Sequence, residues 1–270
     1  MSNELLLRRR NLLLRKQEEQ NIRAVCFEAD GEQTVSITKV DSAPTIIMQY
    51  SYDGVNWDAW DLTPLPFGGS TKVYVRGVNN ATFATNKTNN TFTFGTDSYV
   101  YVSGIAEALL NGENEVLQYS EEYTFRRLFR GQTALREADR LRFEAMTVLG
   151  SSHTAMFENC ANLLTGPELP ATTLNGIASY RDMFRNCSSL VNAPELPATT
   201  LAPHCYQNMF YGCTSLKTIR CRAKVTASSA TFYWLYGVSS SGTLYGHSEY
   251  GWSSGVSGIP SGWEFVELTD

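Results

Sequence analysis

A repeat of 25 to 28 residues runs through the second half of this chain and leaves few folds open to it. The string PELPATTL occurs at 167–174 and again, unchanged, at 194–201. Aligning on it exposes MFENCANL (156–163), MFRNCSSL (183–190) and MFYGCTSL (209–216), with Met positions 27 and then 26 apart. A weaker copy, LFRGQTAL (128–135), lies 28 residues before the first, and a degenerate one, WLYGVSSS (234–241), lies 25 after the last. Self-similarity at such a period marks a stack of units, none of which buries its apolar face alone. Clear copies flanked by atypical ones read as a stack with its caps.

Within one unit, taken as 174–201, Leu174, Ile177, Tyr180 and Phe184 recur at helical or 3-10 spacing. RNC then turns the chain. SSLVNAPELP is extended, with Leu190 and Leu196 directed inward and prolines marking the exit. One short helix and one short strand per coil is the plan of a leucine-rich repeat. Each inward Phe or Leu contributes about 1.5–3 kcal/mol when buried.

The other regions differ. Residues 21–104 predict a small antiparallel β-sandwich, an Ig-like domain. NIRAVCFEADGEQTVSITKV reads as two strands around Asp30-Gly31, and TIIMQYSYDGVNWDAW as two more around Asp53-Gly54. NNATFATNKTNN (79–90) reads as a polar loop. In residues 1–20, LLLRRRN and LLLRKQE follow one another and predict an anchor helix with a broad apolar band. The aromatic, Gly- and Ser-rich C-terminal part reads as the cap of a solenoid spanning 105–270. The expected class is therefore mixed α and β: anchor helix, β-sandwich, then a leucine-rich-repeat solenoid. Charged residues make up only 18% of the 270, and Gly, Ser, Thr, Asn and Tyr are plentiful, which favours strands and turns over long exposed helices.

Charge narrows the function. The formal net charge is −5, but five basic residues in 1–16 against Glu4 give that tail +4 and leave −9 elsewhere. Such a body argues against nucleic acid as a partner. No apolar run approaches the roughly 18 residues of a membrane span, and the arginines that split the N-terminal leucines are unlike a secretory signal. No membrane partner is expected. Cys26, Cys160, Cys187, Cys205, Cys213 and Cys221 form no C-x-x-C pair, so no metal is expected.

The pattern MF-x-[NG]-C-x-[SN]-L with ELPATTL resembles the BspA-type leucine-rich repeats, and GVSSSGTLYG with GIPSGWEF resembles the usual end of such proteins. Repeats of this kind occur in surface proteins of gut Bacteroidales and in virion appendages of tailed phages that infect them, crAss-like phages included. A short Leu/Arg-rich N-terminus and a β domain with a YSYDGVNW-like strand precede the repeats in the phage proteins, and this chain is similar to them over nearly its whole length. The resemblance implies a non-enzymatic structural protein of the virion, a head fibre, capsid decoration or other appendage, made in the host cytoplasm. It implies attachment to other virion proteins of the capsid or collar, and a homo-oligomer, a trimer by analogy. The attachment falls on Leu5, Leu6, Leu7, Arg8, Arg9, Arg10, Leu12, Leu13 and Leu14, whose leucines need a groove on a partner. A bacterial surface adhesin and a polysaccharide-acting virion enzyme stay open as alternatives.

No catalytic or cofactor-binding residue is expected. Cys160, Cys187 and Cys213 form one column, which suits small apolar core residues better than a metal or redox ladder. His204 and Cys205 are adjacent and so do not point at a common atom, and His153 and His247 have no acid at a telling spacing. Glu168 and Glu195 occupy equivalent positions. Equivalent environments do not split two pKa values as acid–base hydrolysis requires. Tyr233, Trp234, Tyr236, Tyr245, Tyr250, Trp252 and Trp263 are cap packing or a glycan surface. Tyr245, Tyr250 and Trp252 are the candidates for binding a host or mucosal glycan. Trp57 and Trp60 read as core or interface.

Overall fold

The computed structural model describes residues 22–269 apart from 68–70, 97, 175, 227, 228 and 256, and apart from the side chains of 225 and 226. Among the described residues, nine strands build the first part: β1 (Val25–Ala29), β2 (Thr34–Val40), β3 (Met48–Ser51), β4 (Asp58–Trp60), β5 (Leu65–Pro66), β6 (Lys72–Gly77), β7 (Asn89–Phe94), β8 (Val100–Ile105) and β9 (Leu135–Arg142). One sheet runs β4-β3-β6-β1-β8-β9 and a second runs β5-β2-β7. All pairings in the two sheets are antiparallel except β8 with β9. The sheets pack face to face: Phe27 of β1 meets Phe92 and Phe94 of β7 edge-on at 5.0 and 5.1 Å.

The two Asp-Gly turns behave differently. Gly54 has a φ of 75°, which a residue without Cβ adopts freely, and it closes the β3–β4 hairpin, in which Tyr50 faces Asp58. Asp30-Gly31 instead carries the chain from one sheet to the other, because β1 and β2 do not pair. Gln33 holds that corner by donating from Nε2 to the carbonyls of Gly95 and Ser98. The expected polar loop is in part interior. Asn80 is buried and bonds the backbone of Ile47 and Leu109, while Asn89 and Asn90 lie buried in β7.

The repeats follow as stacked coils. Their short strands are β10 (Thr173–Leu174), β11 (Thr200–Leu201), β12 (Thr218–Cys221), β13 (Val225–Thr226), β14 (Gly242–Gly246) and β15 (Trp263–Glu267). They form two parallel sheets, β10-β11-β13 and β12-β14-β15. The duplicated string meets itself there, since Thr173 pairs with Thr200 and Leu174 with Leu201.

The expected class is overturned. Strand accounts for 30% of the structure and helical conformation for 3%, so the protein is nearly all β. Among the described residues the only helical turns are short 3-10 segments at Ala106–Leu109 and Ser248–Tyr250. The coils do not close into a strand-and-helix solenoid. The anchor helix expected over 1–20 lies outside the described residues.

The backbone hydrogen bonds explain why the segment before each Cys is not a helix. In 178–187, Arg181, Met183, Arg185 and Cys187 donate to carbonyls three residues back, but Ala178, Tyr180, Asp182, Phe184 and Asn186 donate to Pro203, Cys205, Gln207, Met209 and Tyr211 of the next coil. An α-helix needs every N–H for its own i−4 carbonyl. Here alternate donors leave the segment. Every fourth residue then lies at positive φ, between 53° and 78°, in three columns: Tyr123, Ser151, Ala178, His204 and Ser229; Arg127, Ala155, Asp182, Asn208 and Tyr233; Gly131, Asn159, Asn186, Gly212 and Gly237. Left-handed residues at that interval forbid an α-helix. The result is a turn ladder. Ile177, which a helical face would bury, is 59% exposed.

A single core runs through both parts. Phe92 of β7 stacks on Phe129, and Phe129, Phe157, Phe184 and Phe210 continue the column at 5.4 to 5.6 Å. Leu190 and Leu196 are fully buried beside it. The sandwich also starts the ladder, because Phe83 and Phe92 donate their N–H to Thr124 and Leu128 of the first coil.

Candidate functional site

Aromatic side chains sort by whether their coil buries them. In the cap, Trp234 is fully buried and gives its Nε1 proton to Gly258 O at 2.9 Å. Trp252 stacks on Trp234 at 5.2 Å, and Tyr250 on Trp252 at 3.8 Å. Trp263 is also buried, its Nε1 donating to Ser239 O. Tyr250 and Trp252 are thus brought together as a lid over the last coil. Tyr245 points the other way from β14, since the inward face of that strand carries Leu244 and Gly246, and Trp252 lies against Gly246. Arg220 packs over the Tyr245 ring at 4.8 Å. The three candidate glycan residues do not form one surface.

The N-terminal candidates, Leu5, Leu6, Leu7, Arg8, Arg9, Arg10, Leu12, Leu13 and Leu14, lie outside the described residues. In the sandwich, Trp60 is buried with its Nε1 bonded to Thr63 O, and Trp57 lies half-buried under the Arg76 guanidinium at 4.2 Å.

The cysteine column is a set of structural donors. Cys160, Cys187 and Cys213 give their thiol protons to the carbonyls of Phe129, Phe157 and Phe184, one coil back, at 3.0 to 3.1 Å. Burial pushes the Cys160 and Cys213 thiols up to about 12 and also raises that of Cys187 well above its ordinary value. A thiol held protonated is a poor nucleophile and a poor metal ligand. All six cysteines are buried. No group of three His, Cys, Asp or Glu side chains among the described residues is placed to hold a metal ion. Glu168 and Glu195 are exposed, and Glu195 pairs with Arg222 at 2.6 Å.

Sequence reasoning missed a buried polar chain at the junction of the two parts. Glu107 accepts from Tyr119 Oη at 2.9 Å and from the N–H groups of Glu144 and Ala145. Tyr119 Oη also lies 3.2 Å from His153 Nε2. The phenol has one proton and gives it to the carboxylate, so His153 must carry its proton on Nε2 and donate it to the phenol oxygen. Its Nδ1 then buries a lone pair without a partner. Phe125, Phe143, Tyr119 and Tyr180 surround the imidazole. Burial lowers the His153 pKa to about 3 and raises that of Glu107. His153 occupies the column position of Phe125, Tyr180 and Tyr206, a ring in a ladder of rings, so repeat alignment held its only sequence signal.

The outward face of the turn ladder is chemically different. Following each column phenylalanine stand Arg130, Glu158, Arg185 and Tyr211, and the cap coil supplies Tyr236 at the same place. Arg130 Nε lies 2.5 Å from Glu158, and Arg181 Nε 3.2 Å from Asp182. Arg185 reaches toward both acids at 3.9 Å and covers the Tyr211 ring at 5.0 Å. Tyr211 in turn stacks on Tyr236 at 5.2 Å.

No protein-family model matches this chain, and neither a curated protein nor a solved structure is significantly similar to it. Among the described residues no helix is long and apolar enough to cross a membrane.

Proposed function

We propose that this protein is a non-enzymatic structural component of a tailed-phage virion, a head fibre, capsid decoration or similar appendage that displays its coils outward. One observation supports the reading best. The sandwich and the coils share one core and one sheet, through the β8–β9 pairing and the Phe92–Phe129 stack. An attachment at the sandwich end therefore holds the outward face of the coils in a fixed direction, which is what a display element needs. In this reading the Leu/Arg-rich residues 1–16 attach the chain to a capsid or collar protein, and the protein assembles as a symmetric oligomer, a trimer by analogy. Many copies on one particle convert weak contacts into avidity.

Particle incorporation tests this. The full chain is expected in purified particles by mass spectrometry, and a variant lacking residues 1–16 is expected to fold and be absent from them. Incorporation of the truncated chain at the normal level overturns the attachment. Recovery of the full chain only in the bacterial envelope overturns the virion role.

A further inference from the structure

We propose that the outward face of the turn ladder binds an acidic polysaccharide, with arginines taking its carboxylate or sulfate groups and tyrosines its sugar rings. This deepens the display reading and rests on it.

Charge is the first support. Arg126, Arg127, Arg130, Arg181 and Arg185 stand on this face against Glu158 and Asp182, a surplus of three positive charges on a chain whose net charge is −5. The two acids are already shared: Glu158 between Arg130 and Arg185, Asp182 between Arg181 and Arg185. Arg126 donates to the Thr85 carbonyl, and no carboxylate pairs with Arg126 or Arg127 among the described residues. Arg127 Nε is buried without a hydrogen-bond partner. Burial and the neighbouring guanidiniums lower the pKa values of both, an effect that Glu158, and for Arg127 also Asp182, only partly offsets. An incoming anion relieves that repulsion.

The aromatic rings are the second support. Tyr211, Tyr236, Tyr233 and Phe232 form an unbroken chain of contacts at 5.2, 5.4 and 4.3 Å, and the Arg185 guanidinium continues it. Tyr236 is 49% and Phe232 39% exposed, unlike the rings of the inner column. Ring faces stack on the C–H faces of pyranoses, and the phenol groups offer hydrogen bonds to their hydroxyls. Successive coils lie about 4.8 Å apart along such a ladder, comparable to the repeat of an extended 1,4-linked glycan, so a chain laid along the stack meets basic and aromatic positions in turn.

The arginines of this face stand among exposed rings, which suits a ligand that offers sugar faces as well as anionic groups. A nucleic acid places many phosphates close together, and the acidic remainder of the molecule repels it.

The test is equilibrium binding of the full chain to immobilised polygalacturonate (carboxylate), heparin (sulfate), dextran (neutral) and a DNA duplex, over a salt series. Binding to one or both acidic polysaccharides is expected, with none to dextran, and the carboxylate and sulfate arms identify the anion. The double variant Arg181→Gln/Arg185→Gln is expected to bind about tenfold more weakly and with a shallower salt dependence. Tyr236→Ala is expected to weaken binding several-fold with the salt dependence unchanged, and Arg140→Gln, in β9, to leave it unchanged. Equal binding by the double variant and the parent, no binding to either acidic polysaccharide, equal binding to dextran, or preference for DNA overturns the proposal. Circular dichroism melts confirm that each variant is folded. A double variant that still enters particles but no longer binds supports the proposal. Particles that contain the chain alongside an absence of glycan binding overturn this inference and leave the display reading standing.

Discussion

The sandwich and the turn ladder solve the same problem by opposite means. In the sandwich, strands pair mostly with antiparallel neighbours, and side chains alternate between the two faces of a sheet, as in β1, where Val25 and Phe27 enter the main core while Cys26 packs on the other face in a small cluster with Ala24 and Tyr74. In the ladder, a segment sends every second N–H to the next coil and keeps the others for its own turns. The sandwich therefore meets most of its backbone bonds within its own sheets and lends only a few, such as the N–H groups of Phe83 and Phe92, to the first coil, while each coil is satisfied only in company. Left-handed backbone is the cost of the ladder, and Asn159, Asn186, Gly131, Gly212 and Gly237 fill one of its three columns with the residue types that accept it best.

The largest test of this contrast is removal of a ring from the shared column. Phe184→Ala, between Phe157 and Phe210, and Phe92→Ala, at the sandwich end, are each expected to cost about 3–5 kcal/mol. Urea unfolding followed by tryptophan fluorescence and by far-UV circular dichroism is expected to give one coincident transition for both variants. Two separate transitions would show that sandwich and ladder are independent, and would break the single-core description.

A smaller effect concerns pH. The folded state holds His153 neutral with a pKa of about 3, against 6.5 for the free side chain. Below pH 6.5 the unfolded chain takes up a proton that the folded one refuses, so this contribution to stability is lost as pH falls from 6.5 towards 3. Glu107 acts in the opposite sense. Its folded pKa is raised, so its contribution is present at low pH and lost as pH rises through that value. The clean comparison is His153→Phe with the parent chain: the variant is expected to lose less stability between pH 7 and pH 4, by up to a few kcal/mol. Parallel stability curves would contradict the buried neutral imidazole.

The smallest effect separates backbone from side chain in the ladder. Asn186 has a φ of 59° and gives its amide proton to the Asn159 side chain at 2.9 Å. Asn186→Gly loses only that exposed hydrogen bond and is expected to cost under about 1 kcal/mol. Asn186→Ala adds the left-handed penalty of a Cβ and is expected to cost about 1 kcal/mol more. Equal melting temperatures for the two variants would show that the positive φ carries no cost.

These contrasts explain what could be read beforehand. The sandwich strands were legible because period-two alternation and Asp53-Gly54 signal a hairpin directly. The repeat was legible because its spacing is written in the chain. The ladder was misread as helix because Leu174, Tyr180 and Phe184, all buried, recur at intervals that a helix also produces. What distinguishes the two is the destination of alternate N–H groups, and side-chain identity does not report it. The Asn or Gly before each Cys was the available clue, since residues of that kind every coil signal a left-handed position. The arginine and tyrosine face was hidden for a related reason. Arg185, Tyr211 and Tyr236 are 25 or 26 residues apart in the chain and become neighbours only when the coils are set in register.

A ladder in which every coil offers its donors on one side and its carbonyls on the other has no preferred number of rungs. A further in-frame copy of a 27-residue unit would meet matching partners above and below without disturbing either. The unchanged PELPATTL, paired with itself in β10 and β11, is the imprint of such copying. The height of this molecule is thus something that recombination can change in whole steps, and with it the length of surface shown to the outside.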